Sequence, residues 1–175
     1  MKLVFIGASH WHLSLYLDPA PEIAGVQVVG VSDPDASFVK ALATRLGCVG
    51  DTDFHALCRK TRPDFVVALG RHCDMVEEAT FLLEEAIPFA LEKPCGLNTR
   101  DAVELAALEE RTGNFAAVPL VFRNGDFIRD VLDRVRAGHL PLARLSDMVP
   151  IMRLVDEAYA KAAPWGRRRS PPAAG

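Results

Sequence analysis

The chain has 175 residues, of which 50% are hydrophobic and 25% are charged. Its 20 Lys and Arg against 23 Asp and Glu leave a formal net charge of -3, which argues against global disorder and against a chain-wide electrostatic footprint for nucleic acid. No apolar run approaches the ~20 residues that span a bilayer, and the opening MKLVFIGASH lacks the long apolar segment of a signal peptide. The four cysteines form no CxxC pair, so we expect reduced thiols in a cytoplasmic protein rather than zinc or disulfides.

Apolar runs alternate with helical patterns along the first two thirds of the chain. Strands are predicted at Lys2 to Ile6, Val26 to Val31, Asp64 to Leu69, Ile87 to Leu91 and Phe115 to Val121. Helices are predicted at His10 to Leu17 with Ser9 as N-cap, Phe38 to Leu46, Phe54 to Lys60, Met75 to Ala86, and Arg100 to Arg111 with Thr99 as N-cap. Continuous apolar strands alternating with helices predict an α/β fold with a Rossmann-like, doubly wound parallel sheet.

A helical appendage is predicted to follow the sheet. We place a dinucleotide-binding domain at 1–121, a helical remnant of a second domain at 122–163 and a flexible tail at 164–175. Helical patterns cover Asp126 to Ala137 and Ala143 to Ala162. In the second pattern, core-like spacing is shared by Leu145, Met148, Ile151, Met152, Val155 and Tyr159. The basic run Arg167 to Arg169 favours a solvated tail over a nucleic-acid arm.

The turn after the first strand is a candidate phosphate site. A tight strand-to-helix turn aims free N–H groups at a pyrophosphate, usually in the pattern G-x-G-x-x-G. Here Gly7 is kept, whereas Ser9 and His12 stand at the second and third glycine positions, so a plain strand–helix turn stays open. His10 and His12 could form a metal pair, but a structural role is favoured because the positive end of a helix disfavours a cation.

Asp33 follows the second strand. A carboxylate there can accept hydrogen bonds from the ribose hydroxyls of NAD, and it would repel the additional phosphate of NADP. No Arg follows it to bind such a phosphate. The alternative is a turn-forming Asp-Pro pair with Pro34.

The Glu92-Lys93-Pro94 turn ends the fourth predicted strand, where it would face the nicotinamide. Burial and nearby positive charge can bring a lysine into the range for acid/base chemistry between an alcohol and a ketone. Glu92 could orient Lys93 or simply pair with it. On spacing alone, a surface lysine at a strand end is the alternative.

The segments KLVFIGASH, GVSDPD, RPDFVVAL and FALEKPCGLNTRDAVEL together resemble the Gfo/Idh/MocA family of NAD(P)-dependent oxidoreductases, over Lys2 to about Gly138. The resemblance implies substrate binding and proton transfer by Lys93, a glycine-turn role for Gly7 and a ribose role for Asp33. It implies substrates such as sugars, cyclitols and other polyols. Cofactor contacts are also implied for Leu69, Gly70 and His72. Many members have Thr-Pro-Asn after the strand ending near Leu69, where this chain has Gly70-Arg71-His72, and His72 could still donate a hydrogen bond to the cofactor.

The chain departs from the family in length. Members carry a second domain that covers the nicotinamide and supplies a further catalytic Asp and His. In this chain, Ala143 to Arg169 resembles the closing helix of such a protein. His139 does not match the catalytic pair of that second domain. Two functions stay open: hydride transfer between NAD and a polyol-like alcohol, or a non-catalytic dinucleotide-binding or interaction module. We expect no membrane or nucleic-acid partner and a homo-oligomer, with a dimer as the guess.

Overall fold

The computed structural model describes residues 1–119, 127–141 and 144–161. Within this part of the chain, six parallel strands form one sheet in the order β3-β2-β1-β4-β5-β6. The strands are β1 Lys2–Ile6, β2 Gln27–Ser32, β3 Val49–Asp51, β4 Phe65–Ala68, β5 Phe89–Leu91 and β6 Ala116–Ala117. This order is that of a doubly wound Rossmann sheet, as predicted, and its switch point lies between β1 and β4.

Helices connect the strands and follow the sheet. They are α1 Leu13–Leu17, α2 Ala36–Leu46, α3 Phe54–Thr61, α4 Met75–Glu84, α5 Thr99–Thr112, α6 Phe127–Ala137 and α7 Met148–Lys161. Two short 3-10 turns lie at Ala20–Glu22 and Leu145–Asp147. None of these described helices is long and apolar enough to cross a membrane.

Both faces of the sheet are buried. Alternate strand residues point to opposite sides, and apolar residues on each side belong to a separate cluster. Val4 and Val66 belong to one hydrophobic cluster, and Phe5 and Val67 belong to the other. The C-terminal helices join these clusters: Leu145, Met148 and Met152 belong to the cluster of Val4, whereas Val131 and Leu132 of α6 belong to the cluster of Phe5. The appendage therefore shares the core of the sheet.

Several predicted boundaries are wrong. The strand β3 was not predicted; it carries one apolar residue and is held by its pairing with Gly30 to Ser32. Helix α5 is capped by Asn98, whose side chain accepts from the Asp101 N–H, and Thr99 is its first residue instead of its N-cap. Ile151 is exposed because it lies beside the apolar stripe of α7.

Other predictions fall on parts of the chain that the structure does not describe. Positions 120–126, the ends of the predicted helices at Ala143 and Ala162, the Tyr159 side chain and the predicted tail at 164–175 lie outside the described residues.

Candidate functional site

The turns after β1 and β4 touch at the switch point of the sheet. Gly7 has a φ of 67°, and a Cβ added to it would lie 2.5 Å from the backbone N of Gly70. Both the left-handed backbone and this close approach require glycine at position 7. The first glycine of the predicted turn therefore has a structural reason that does not depend on a ligand.

The segment from Ser9 to His12 is a series of turns, so the predicted helix from His10 with a Ser9 cap is wrong. The Ser9 N–H donates to the Asp33 carboxylate. The His10 N–H donates to the Gly7 carbonyl, and the His12 N–H donates to His10 Nδ1. Helix α1 starts only at Leu13 and makes no side-chain cap bond. These N–H groups are engaged within the chain instead of facing a phosphate.

Asp33 is buried and connects the first two turns. Its Oδ2 accepts from the Ser9 N–H at 2.7 Å and its Oδ1 accepts from the Asp35 N–H at 3.0 Å. A carboxylate has about four lone-pair sites, so each oxygen can accept a further hydrogen bond from a hydroxyl. Asp33 is therefore both a structural residue of the turn and an available acceptor.

A cavity of about 400 Å³ opens beside Asp33, at the carboxyl ends of β1, β2 and β4. Of the predicted cofactor residues it is lined by Gly7, Ser9, His10, Asp33, Leu69 and Gly70. Its lining also includes residues that sequence reasoning missed: Phe54, Arg71, Asp74, Glu77 and Glu78. The predicted residues His12, His72, Glu92 and Lys93 are not among the residues that line it.

Glu78 is the missed residue with the most unusual surroundings. It is 4% exposed, and its Oε2 has no hydrogen-bond partner among the described residues. Burial, followed by the nearby Asp74, Glu77 and Asp33, raises the pKa of Glu78 to about 7. A signal in the sequence existed: Glu78 lies on the same face of α4 as Met75, three residues earlier.

Glu92 forms a second, separate cluster. Its fully buried carboxylate accepts from Tyr16 Oη at 2.5 Å and lies 3.2 Å from His12 Nδ1. Burial and this hydrogen bond raise the pKa of Tyr16, so the phenol stays protonated as a donor. The ring of His12 therefore fills the space that a third glycine would have left between α1 and the turn after β5. Tyr16 was not predicted; its spacing of four residues from His12 was the available signal.

Lys93 is held by Glu92 at two points. The Lys93 N–H donates to Glu92 Oε1 at 3.0 Å, and Lys93 Nζ lies 3.7 Å from the same oxygen. The Lys93 side chain is 42% exposed, so Nζ can still meet a solute. Glu92 therefore pairs with Lys93, which is one of the two roles left open by the sequence. His72, in contrast, is exposed in the turn after β4.

Among the described residues, no group of three His, Cys, Asp or Glu side chains is arranged to hold a metal ion. His10 stacks on Trp11, His12 is tilted against Trp11, and the two histidine rings meet edge-on with centroids 5.1 Å apart. This arrangement is that of an aromatic cluster.

A family model matches the part of the chain that contains the whole described sheet. The family model described as an oxidoreductase family with an NAD-binding Rossmann fold, Gfo/Idh/MocA, matches residues 1–119. The chain belongs to the Gfo/Idh/MocA family. The resemblance seen in the sequence is thereby confirmed, whereas no curated protein matches the chain.

Solved structures share the fold of this Gfo/Idh/MocA chain at low identity. GenD2 of gentamicin A biosynthesis, solved with NAD, is 24% identical with a TM-score of 0.60, over 73% of this chain and 35% of GenD2. An Agrobacterium radiobacter oxidoreductase, solved with NAD+, L-tartaric acid and magnesium, is 19% identical with a TM-score of 0.65, over 79% and 40%. Lactobacillus plantarum myo-inositol 2-dehydrogenase is 17% identical with a TM-score of 0.65, over 79% and 41%. The chain thus spans less than half the length of each.

The residues of the cavity fit a dinucleotide. Gly7 and Gly70 place backbone without a Cβ in the cavity lining, and Asp33 supplies an acceptor at its edge. Phe54 and Leu69 add apolar surface suited to a purine ring. The position of the cavity and the Asp33 acceptor match the binding crevice of a doubly wound sheet.

Proposed function

We propose that this chain binds NAD in the cavity beside Asp33 and serves hydride transfer between NAD and a secondary alcohol of the sugar, cyclitol or polyol type. The observation that carries the proposal is the buried Asp33 carboxylate, which stands at the edge of a cavity at the switch point. When bound, the nicotinamide supplies the hydride-transfer chemistry. The remaining work belongs to residues of this chain.

Asp33 would hold the ribose hydroxyls and disfavour a 2′-phosphate. Arg71 lines the same cavity and is the group that a 2′-phosphate could use, but it is engaged by Asp74, with Nε 2.6 Å from Oδ2 and Nη2 3.1 Å from Oδ1. A bidentate pair of this kind must be broken or shared to bind a phosphate. The balance supports NAD over NADP.

Lys93 would act on the substrate hydroxyl. In its neutral form Nζ accepts the hydroxyl proton as hydride leaves the carbinol carbon, and in its charged form it returns the proton in the reverse direction. Glu92 keeps Nζ in place, because its carboxylate is itself fixed by Tyr16. Fixed groups of this kind reduce the ordering that the transition state requires.

Paired titrations test cofactor binding. The dissociation constant from NADH fluorescence should be lower than that from NADPH fluorescence. Asp33→Ala should reduce the ratio of the two dissociation constants, because it removes the repulsion of the 2′-phosphate. Equal affinities for the two cofactors in the wild type, or no binding of either, would contradict the assignment of Asp33.

A polyol screen tests the chemistry. Reduction of NAD by sugars and cyclitols should be lost in Lys93→Met. It should be kept in the control Lys40→Met, which removes an exposed lysine on α2, outside the proposed site. Unchanged activity in Lys93→Met would remove Lys93 from the mechanism.

A non-catalytic dinucleotide-binding or interaction module is the second candidate. It is favoured by the exposure of Lys93 and of the apolar residues Trp11, Leu15 and Leu97, since hydride transfer needs a site shielded from water. Cofactor binding with no turnover in the polyol screen would support this candidate.

A dimer could shield the nicotinamide from water with residues of the partner subunit. Light scattering on the purified chain would detect the dimer.

A further inference from the structure

Glu78 places a buried carboxyl group in the wall of the cofactor cavity. Its side chain lines the cavity, yet Oε2 has no hydrogen-bond partner among the described residues. A buried polar atom without a partner carries the full cost of its desolvation, so it calls for an explanation, and a bound ligand is one.

The carboxyl of Glu78 occupies the place of a side chain at Gly70. A Cβ added to Gly70 would collide with both carboxyl oxygens, and the Gly70 backbone N–H donates to the carboxyl. Gly70 lies against Gly7 on its other side. The Glu78 carboxyl therefore stands in the wall of the cavity at the contact between the two turns.

The charges that face Glu78 are mostly negative. Acidic neighbours come from three elements and are Asp33 and Asp35 in the turn after β2, Asp74 before α4, and Glu77 on α4. The cationic or titratable neighbours in the same cavity are Arg71, which is engaged by Asp74, and His10 from the turn after β1. A further anion in this cavity therefore meets a strongly acidic surface.

We propose that Glu78 binds the dinucleotide as a neutral carboxylic acid, with its carboxyl O–H donating a hydrogen bond to an oxygen of the bound NAD. This inference depends on the proposed NAD site. One carboxyl oxygen has no hydrogen-bond partner among the described residues, and burial outweighs the nearby Gly70 N–H, which lowers the pKa. An ionised Glu78 would instead add its repulsion for the pyrophosphate to that of Asp33 and Asp74. No covalent bond of NAD is made or broken, and where Glu78 is ionised its carboxylate takes up one proton from the solvent.

The expected consequence is an affinity that depends on pH. Burial already raises the pKa of Glu78 to about 7 in the free chain. Since only the protonated form binds well, the apparent dissociation constant should rise about tenfold between about pH 6 and about pH 8. The sign is fixed: binding takes up a proton, so it weakens as the pH rises.

Fluorescence titration with NADH over this pH range tests the inference in wild type and in Glu78→Gln. The Gln amide can donate a hydrogen bond but does not titrate, so the variant should keep the low-pH affinity and show a much flatter pH profile. Any contribution of His10 is common to both proteins and cancels in the comparison. The inference is overturned if the wild-type affinity is flat with pH or if Glu78→Gln keeps the wild-type slope.

A second measurement needs no variant. Calorimetric titration of the wild type with NADH at about pH 8, in two buffers of different ionisation enthalpy, should show uptake of up to about one proton per bound NADH. At that pH His10 stays neutral, because burial lowers its pKa. The absence of proton uptake overturns the role of Glu78, whereas the absence of NADH binding at every pH overturns the NAD site itself.

Discussion

The contact between the turns after β1 and β4 makes a quantitative prediction for Gly7→Ala. Gly7 combines a φ of 67° with a virtual Cβ that lies 2.5 to 2.6 Å from the backbone of Leu69 and Gly70. Gly47, the C-cap of α2, has nearly the same φ of 63° but has no atom within 4 Å of its virtual Cβ. Gly47→Ala is therefore a matched control that carries the dihedral cost without the steric overlap.

The difference between the two variants isolates the overlap. A left-handed backbone costs an alanine about 1–2 kcal/mol, and the smaller freedom of alanine in the unfolded chain offsets about 0.4–1 kcal/mol; both effects are common to the two variants. The overlap at Gly7 is with backbone atoms, which cannot rotate away, and should add about 1–3 kcal/mol. Gly7→Ala should thus lower the free energy of unfolding by that amount beyond Gly47→Ala.

Urea unfolding followed by circular dichroism measures the difference. With a slope of about 2 kcal/mol per molar urea, an additional 2 kcal/mol moves the midpoint by about 1 M. Equal midpoints and slopes for the two variants would refute the close approach of the turns. The glycine at position 7 would then be required by its backbone dihedral alone.

Three further predictions concern buried groups. The raised pKa of Glu78 favours its protonated form in the folded chain, so its contribution to stability is present below pH ~4.5 and is lost as the pH rises through 7. The free energy of unfolding of the wild type should therefore fall by about 3 kcal/mol between pH 4 and pH 8. Urea titrations of Glu78→Gln over the same range should not show this fall. Met152→Ala, at a residue 1% exposed, should cost about 2–5 kcal/mol, whereas Leu154→Ala, at a residue 66% exposed, should cost at most about 0.5 kcal/mol. Similar thermal midpoints for this pair would contradict the packing of α7. Tyr16→Phe should cost about 1.5–3 kcal/mol in urea unfolding, because it removes a donor from the buried Glu92; an unchanged midpoint would show that the hydrogen bond contributes little.

The strands at the centre of the sheet could be predicted from the sequence because they are apolar on both faces. Residues 3 to 6 and 65 to 68 are almost fully buried, so their composition alone distinguishes them from surface segments. The edge strand β3 could not be predicted in this way. Its Gly50 packs against Val39 and Ala43 of α2, and such a contact is set by the tertiary structure.

The candidate site was predictable in outline and not in detail. Gly7 and Asp33 follow from their positions after β1 and β2, and the structure brings both to one cavity. The prediction of Ser9 as a helix cap was wrong because its N–H partner, Asp33, is 24 residues away in sequence. Glu78 was missed because its burial depends on the space that Gly70 leaves open, which no local pattern records.

A crystal structure of the chain with NAD+ most directly tests whether NAD occupies the cavity at the carboxyl ends of β1, β2 and β4. We expect ribose hydroxyls within hydrogen-bond distance of Asp33, a dinucleotide oxygen at the Glu78 carboxyl, and the nicotinamide on the side of Lys93. A dinucleotide bound elsewhere, or crystals grown with NAD+ whose cavity contains only water, would contradict the proposed site.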